Sequence, residues 1–175
     1  MEDSRYSTAT ITVADVDAHK GGGTMAAEYS ANAAQIVPIG GDVIFTESPV
    51  PCNRGLIYHR DDSGLFRLAN RFFRQNVCQC WRRNTNYEVA FHANIAVPED
   101  EEIPDDGISL AIAVDGAIDP SSTMIFVPAD VDEFGNVGAD IIVTVPFVCS
   151  CSSVSIRNTS TIPITVQNAN IIFDS

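Results

Sequence analysis

Basic residues are scarce in this sequence, and long apolar segments are missing. Ten lysines and arginines stand against 23 aspartates and glutamates among 175 residues, which gives a formal net charge of −13. Because phosphate contacts need clustered lysines and arginines, this balance argues against a nucleic-acid partner. No apolar run approaches the roughly 20 residues that a membrane-spanning helix needs. The first residues, MEDSRYSTAT, also lack the basic and then apolar pattern of a secretory signal, so we expect no membrane partner.

The sequence contains few cysteines, and their number is odd. The five cysteines are Cys52, Cys78, Cys80, Cys149 and Cys151. An odd number without a signal peptide argues against a secreted scaffold held together by disulfides. The two Cys-x-Cys pairs could supply four thiolates to zinc, but structural zinc sites usually separate their ligands by two or more residues. Disulfides between the pairs, or with Cys52, stay open as an alternative. We expect mainly free thiols, no metal and no cofactor.

Motifs for catalysis or phosphate binding are missing as well. The sequence has no HExxH, no G-x-S-x-G and no glycine-rich phosphate loop between a strand and a helix. The histidines are His19, His59 and His92. In DVDEFGN, Asp130, Asp132 and Glu133 resemble a fragment of a calcium loop, but the terminal bidentate glutamate is absent. We therefore predict a solvated acidic loop there, and a protein that is not an enzyme.

The sequence does contain many short stretches in which apolar and polar residues alternate. In ADIIVTVPF, Ile141, Val143 and Val145 alternate with Ile142 and Thr144. Side chains of a strand point alternately to its two faces, so this period of two predicts a strand with one face on a core. SSVSIRN and ITVQNANIIFD show similar patterns, and so do the stretches 87–97 and 108–114. About nine or ten such strands, with no convincing core helix, predict an all-β sandwich or barrel.

The first 39 residues differ from the rest. Residues 8–16 (TATITVADV) alternate like a short strand, and three glycines, 21–23, then interrupt the chain. Residues 25–37 are rich in alanine and predict a helical turn or two, ended by Pro38. We therefore predict an N-terminal arm over residues 1–39 and a single β domain over residues 40–175.

The order of these strands resembles the tumour necrosis factor-like jelly roll, the family that includes the complement globular heads. The resemblance lies in YEVAF at residues 87–91, in SLAIAVDG, IIVTVP and SSVSIRN, and in the final ITVQNANIIF. Within this family the chain looks most like the C-terminal domains of bacterial exosporium glycoproteins. It is also similar to uncharacterised, phage-associated proteins of gut Firmicutes, which share phrases like LFTETPVPCNRGLIYHR and NIAVP. In this sequence the phrases read IFTESPVPCNRGLIYHR and NIAVP. The resemblance implies an antiparallel jelly-roll sandwich.

The same resemblance implies a homotrimer, because jelly rolls of this family are usually trimers. Small, uncharged residues on the second face of the strands at 87–97 and 108–114 suggest a sheet that is covered from both sides. An ordinary solvated face with small residues is the alternative. The predicted trimer interface comprises Tyr87, Ala90, Phe91, His92, Ala111 and Ala113.

The likeness to phage-associated proteins implies a structural protein of the virion, assembled in the host cytoplasm. We expect a trimeric capsid decoration or head fibre whose arm binds other capsid proteins. The alternative is a receptor- or glycan-binding head of a fibre or spore-surface protein. Its ligand-facing loop would be the stretch that carries Phe72, Phe73, Trp81, Arg82 and Arg83. A carbohydrate hydrolase would need two carboxylates at a defined separation in a groove, and the sequence does not identify such a pair.

Overall fold

A computed structural model describes residues 25–52, 56–60, 63–70, 84–147 and 151–175 of the chain. Within these residues the chain forms strands, together with a 3-10 turn at Pro120–Ser122. The strands are β1 (Ala26–Ala31), β2 (Gln35–Val37), β3 (Glu47–Val50), β4 (Ile57–His59), β5 (Phe66–Ala69), β6 (Thr85–Ala96), β7 (Ile108–Val114), β8 (Ala117–Ile118), β9 (Met124–Phe126), β10 (Gly135–Val145), β11 (Cys151–Asn158) and β12 (Ile164–Asp174).

The strands form two six-stranded antiparallel sheets. Sheet I has the order β10-β6-β12-β1-β3, and β2 also pairs with β12. Sheet II has the order β4-β5-β11-β7-β8, and β9 also pairs with β7. The prediction of an all-β jelly-roll sandwich is thus confirmed.

The core lies between the sheets, and alternation selects its residues. Along β6, Tyr87, Val89 and Phe91 are fully buried in the core. Glu88, which lies between Tyr87 and Val89, and His92, which follows Phe91, are exposed. Removing a large apolar side chain from water contributes about 1.5–3 kcal/mol, so one strand of this length supplies a substantial share of the stability. On β7, Ile108, Leu110 and Ile112 are likewise fully buried in the core, so the alternation predicted for the stretches 87–97 and 108–114 is confirmed.

Aromatic rings gather around Phe66 in the middle of this core. The Phe66 ring lies 4.9 Å from that of Tyr29, 5.2 Å from Phe45 and 5.0 Å from Phe173, all measured between ring centroids. His59 stacks on the same ring at 4.3 Å, with 17° between the planes. These side chains come from both sheets, and they therefore tie the two layers together.

The N-terminal prediction needs a correction. Residues 26–37 form β1 and β2 rather than helical turns, because β1 pairs with β12 along its whole length and β2 pairs with the start of β12. Ala27 and Tyr29 bury their side chains in the core. Of the arm predicted over residues 1–39, the part from Met25 onward thus belongs to sheet I. The earlier part, with residues 8–16, lies outside the described residues.

The start of the predicted β domain is irregular. Residues 40–46 do not form a regular strand, although Val43 and Phe45 bury their side chains in the core. Asp42 forms an isolated bridge with Arg157, and Phe45 forms one with Ser63. The regular strand β3 follows at Glu47–Val50.

A buried asparagine joins the end of β11 to its neighbours. The Asn158 amide donates to the carbonyl oxygens of Val37, Pro38 and Ile162 at 3.0–3.3 Å. Its Oδ1 accepts the backbone N–H of Ser160 at 2.8 Å. Because the side chain is only 1% exposed, these bonds satisfy polar groups that water cannot reach.

Candidate functional site

The outer face of sheet I is acidic and partly apolar. Strands β10, β6, β12 and β1 contain no lysine or arginine. Two isoleucines stand on this face, Ile142 with 64% of its surface exposed and Ile172 with 39%. The register of the strands forms a row of Ile142, Glu88, Asp174 and Ala26, and a second row of Asp140, Ala90, Ile172 and Glu28.

Small residues leave the middle of this face shallow. Ala90 is flanked by Asp140 on one side and Ile172 on the other. In the next row Gly138 lies beside His92, whose imidazole covers the glycine. The middle of this face thus carries small residues and one imidazole.

The structure separates the six residues predicted for a trimer interface. Ala90 and His92 lie on the outer face of sheet I. Tyr87 and Phe91 point the opposite way and are fully buried in the core, so they have no surface to offer a second chain. Tyr87 also donates its hydroxyl to the Ala69 carbonyl oxygen at 2.6 Å. The prediction was argued from one face of β6, but its list of residues included side chains from both faces.

Ala111 is on the other sheet, and Arg157 on the neighbouring strand β11 pairs with it. From there Arg157 Nη1 reaches the carbonyl oxygen of Gly116 at 3.1 Å, beyond the end of β7. Its Nε forms an ion pair with Oδ1 of Asp42 at 3.1 Å. Ala111 and Ala113, on the outer side of sheet II, are already buried within one chain, with exposures of 0% and 1%. They do not lie on a free surface.

The outer face of sheet II carries a second feature, a row of polar and aromatic side chains. Tyr58 on β4 pairs with Arg67 on β5, and Arg67 pairs in turn with Ser153 on β11. Asp115, in the turn after β7, accepts the Ser153 backbone N–H at 2.7 Å on Oδ1. A shallow depression of about 320 Å³ lies here, lined by Leu65, Arg67, Asp115, Cys151, Ser152 and Ser153.

The backbone of the β7–β8 turn holds Asp115 in place. Asp115 and Gly116 have φ angles of 52° and 81°, and they connect the paired residues Val114 and Ala117. Two positive φ angles in a two-residue loop match the turn type that Asp-Gly favours. The Asp-Gly pair that ends the stretch ISLAIAVDG thus forms the turn that its residue types favour.

The cysteines and acidic residues in the described part of the chain do not form a metal centre. Cys52 and Cys151 are free thiols, and the Cys52 Sγ lies 3.3 Å from the Met25 sulfur. No group of three or more potential ligands occurs among the described residues. Cys78, Cys80 and Cys149 lie outside them, as do all five residues of the predicted ligand-facing loop, Phe72, Phe73, Trp81, Arg82 and Arg83.

The acidic loop before β10 uses one of its carboxylates to cap its own turn. Glu133 Oε2 accepts the N–H of Ala129 at 2.6 Å and that of Asp130 at 3.3 Å. Asp130 Oδ1 accepts the N–H of Val131 at 2.9 Å. These bonds give the loop a local structural role.

Among the described residues, no helix has the length and apolar character that crossing a membrane requires. No protein-family model matches the sequence, and no curated protein matches it significantly. The fold is similar to that of the Eiger TNF protein from S. frugiperda, with a TM-score of 0.56 and 10% sequence identity. That match covers 87% of this chain and 92% of the other. Rabbit GITRL matches with a TM-score of 0.39 at 9% identity, over 85% of this chain and 91% of the other. The likeness to Eiger identifies the fold as a tumour necrosis factor-like jelly roll.

Proposed function

We propose that this chain is a non-enzymatic structural protein of a phage particle, a homotrimer that serves as a capsid decoration or head fibre. The observation that carries the proposal is the outer face of sheet I. It combines exposed isoleucines with a shallow centre at Ala90 and Gly138, and nothing among the described residues covers it. The assignment to a virion rests on the resemblance to phage-associated proteins that the sequence suggested.

The outer face of sheet I is the contact surface of the proposed trimer. An interface core is apolar and its rim polar, which matches Ile142 and Ile172 among the surrounding carboxylates. Those carboxylates need cationic partners, because burying an unpaired charge costs several kcal/mol. A neighbouring copy would have to supply these counter-charges from its own basic residues.

Attachment to the particle is assigned to the residues before Met25. β1 begins at one end of sheet I, where Met25 and Ser175 exchange backbone hydrogen bonds of 3.1 Å. The residues that precede it include three consecutive glycines, 21–23. Residues 1–24 would thus bind other capsid proteins while the jelly roll faces outward.

Light scattering of the purified protein tests the trimer. The expected mass is about three times the 18.8 kDa of one chain. Ala90→Glu adds a charge to the centre of the proposed interface and should yield a folded monomer. Thr161→Glu, at an exposed site in the loop between β11 and β12, is the matched control and should remain a trimer. A wild-type monomer, or an Ala90→Glu trimer of unchanged stability, would contradict the proposed interface.

Particle association tests the virion role separately. Purified phage should contain the protein at a fixed copy number. A variant without residues 1–20 should keep the oligomeric state of the wild type and lose binding to the particle. If the truncated protein still binds the capsid with unchanged affinity, the attachment lies in the jelly roll and this part of the proposal fails.

A further inference from the structure

The row across the outer face of sheet II combines three kinds of group on adjacent strands. Tyr58 contributes a phenol ring with 64% of its surface exposed, and Arg67 contributes an exposed guanidinium. Ser153 contributes a half-buried hydroxyl. Neighbouring strands lie about 4.8 Å apart, so these three positions span roughly 10 Å. This distance is comparable to the length of a disaccharide.

Asp115 lies at the end of the row, and hydrogen bonds fix its position in the absence of a ligand. Its N–H donates to the Ser153 carbonyl oxygen at 2.9 Å, and its Oδ1 accepts from the Ser153 N–H and hydroxyl at 2.7 and 3.3 Å. Arg157 fixes the next residue of the turn through the Gly116 carbonyl oxygen. In the described part of the chain, the second carboxylate oxygen of Asp115 has no hydrogen-bond partner. A polar group fixed in this way loses little entropy when a ligand binds.

The guanidinium of Arg67 is also available to bind a ligand. Within the described residues it forms no ion pair, in contrast to Arg157, which pairs with Asp42. Arg67 also lines the shallow depression together with Asp115 and Ser153. A guanidinium donor and a carboxylate acceptor thus line the same small volume. The aromatic ring of Tyr58 lies on the next strand, paired with Arg67.

We propose that Tyr58, Arg67, Ser153 and Asp115 form a binding site for a neutral saccharide. The Tyr58 ring stacks on the apolar face of a sugar ring, Arg67 donates to its oxygens, and the free oxygen of Asp115 accepts from its hydroxyls. Few, well-placed polar groups beside an aromatic surface are typical of ligand sites. The site is separate from the proposed trimer contact, since it lies on the opposite sheet, and it adds a binding function to the structural role.

Charge favours a neutral sugar over an acidic one. The positive charge of Arg67 and the negative charge of Asp115 cancel within the row, so the site has no net attraction for an anion. The net charge of −13 on the chain further repels anionic ligands at low ionic strength. The shallow shape also predicts weak binding by each site, which several copies on one particle would reinforce through multivalency.

Titration of ¹⁵N-labelled full-length protein with maltose, cellobiose, lactose and mannobiose tests the proposal. At least one neutral disaccharide should shift the amide signals of Ser153 and Gly116 in a saturable way. Arg67→Ala and Tyr58→Ala should each weaken this binding about tenfold or more. Tyr58→Phe keeps the ring and should bind like the wild type. Asp115→Asn keeps a residue that tolerates a positive φ but loses the charge, and should also weaken binding.

Arg60→Ala is the matched control, because it removes an exposed arginine just after β4 that lies outside the row. It should leave the dissociation constant unchanged. Saturable binding of sialyllactose alone, equal binding by Arg67→Ala and the wild type, or no shift at tens of millimolar of any of the neutral sugars would each overturn the proposal. Light scattering on the same samples measures the oligomeric state independently. A failure of sugar binding can therefore be distinguished from a failure of trimer formation.

Discussion

The imidazole of His92 lies over the bare backbone of Gly138 on the neighbouring strand. A Cβ at residue 138 would clash with Nδ1 of His92 and would lie 2.9 Å from its Cε1. The glycine therefore provides the space in which the ring lies flat on the outer face of sheet I. The ring is the far end of an exposed side chain, and it can move.

The substitution Gly138→Ala should move His92 rather than unfold the protein. We expect a change in unfolding free energy within about 1 kcal/mol, because the rotamer shift is offset by the gain of a better strand residue. The imidazole signals of His92 in NMR spectra should shift strongly. In a His92→Ala background the same glycine substitution should be neutral or stabilising, since the clash is gone. An equal destabilisation in both backgrounds would contradict the proposed contact.

Gly107→Ala should be far more costly. Gly107 has a φ of 76°, and an added Cβ would lie 2.5 Å from the Phe126 carbonyl oxygen and 2.9 Å from Cγ2 of Val127. The first of these is backbone and cannot rotate away. Backbone strain and the clash together predict a loss of about 2 kcal/mol or more, measured by urea denaturation. Gly116→Ala is the control, because its φ is 81° but no atom lies within 4 Å of the added Cβ. It should cost only about 1 kcal/mol, and an equal loss in both variants would argue against the clash.

Asn158→Asp should destabilise the protein although it barely changes the shape of the side chain. The substitution replaces the amide that donates to three carbonyl oxygens with a second acceptor. A carboxylate facing carbonyl oxygens in a buried site should cost about 3 kcal/mol or more at neutral pH. Asn86→Asp is the control, because the side chain of Asn86 is exposed and its Oδ1 accepts a hydrogen bond from the Thr144 hydroxyl. This substitution should leave the unfolding free energy nearly unchanged. If both variants melt at the temperature of the wild type, the role of Asn158 is wrong.

Tyr29 should limit stability at alkaline pH. Burial raises the pKa of its phenol above the ordinary value of 10.0, and the nearby Cys52 charge raises it further. The unfolded chain therefore loses the Tyr29 proton at lower pH than the folded chain does. The resulting stability is fully present below pH 10 and is lost as the pH rises through the folded pKa.

Urea unfolding of Tyr29→Phe at pH 9 and pH 11 measures this effect. The loss of unfolding free energy between the two pH values should be smaller in Tyr29→Phe than in the wild type. Tyr58→Phe removes a phenol from the exposed surface instead and should lose as much as the wild type. Identical pH dependence in all three proteins would rule out the assigned role of Tyr29.

The alternation of apolar residues by itself determined which faces of the long strands are buried. Along β6 and β7 the side-chain period of two separates core from surface, and this rule needs no knowledge of neighbouring strands. The Asp-Gly pair likewise predicts its own turn, because the required φ angles are a local property of these two residues. Strand content and core faces could therefore be read before the fold was known.

Strand partners and the coverage of outer faces were decided only by the tertiary structure. Residues 26–37 are rich in alanine and suit a helix locally, but pairing with β12 makes them strands, since tertiary contacts override a weak propensity. Ala111 is fully buried although it lies on the outer side of sheet II, and its cross-strand neighbour Arg157 pairs with Asp42 from a distant part of the chain.

The candidate site on sheet II arises in the same way. Tyr58, Arg67, Ser153 and Asp115 belong to four separate segments, and none of these segments carries a recognisable binding motif. The register of β4, β5 and β11 brings them into one row, and the turn after β7 completes it. Alternation with a period of two determines which face of the sheet a side chain occupies. It does not determine which strand will lie beside it. That choice is made by packing across the whole domain.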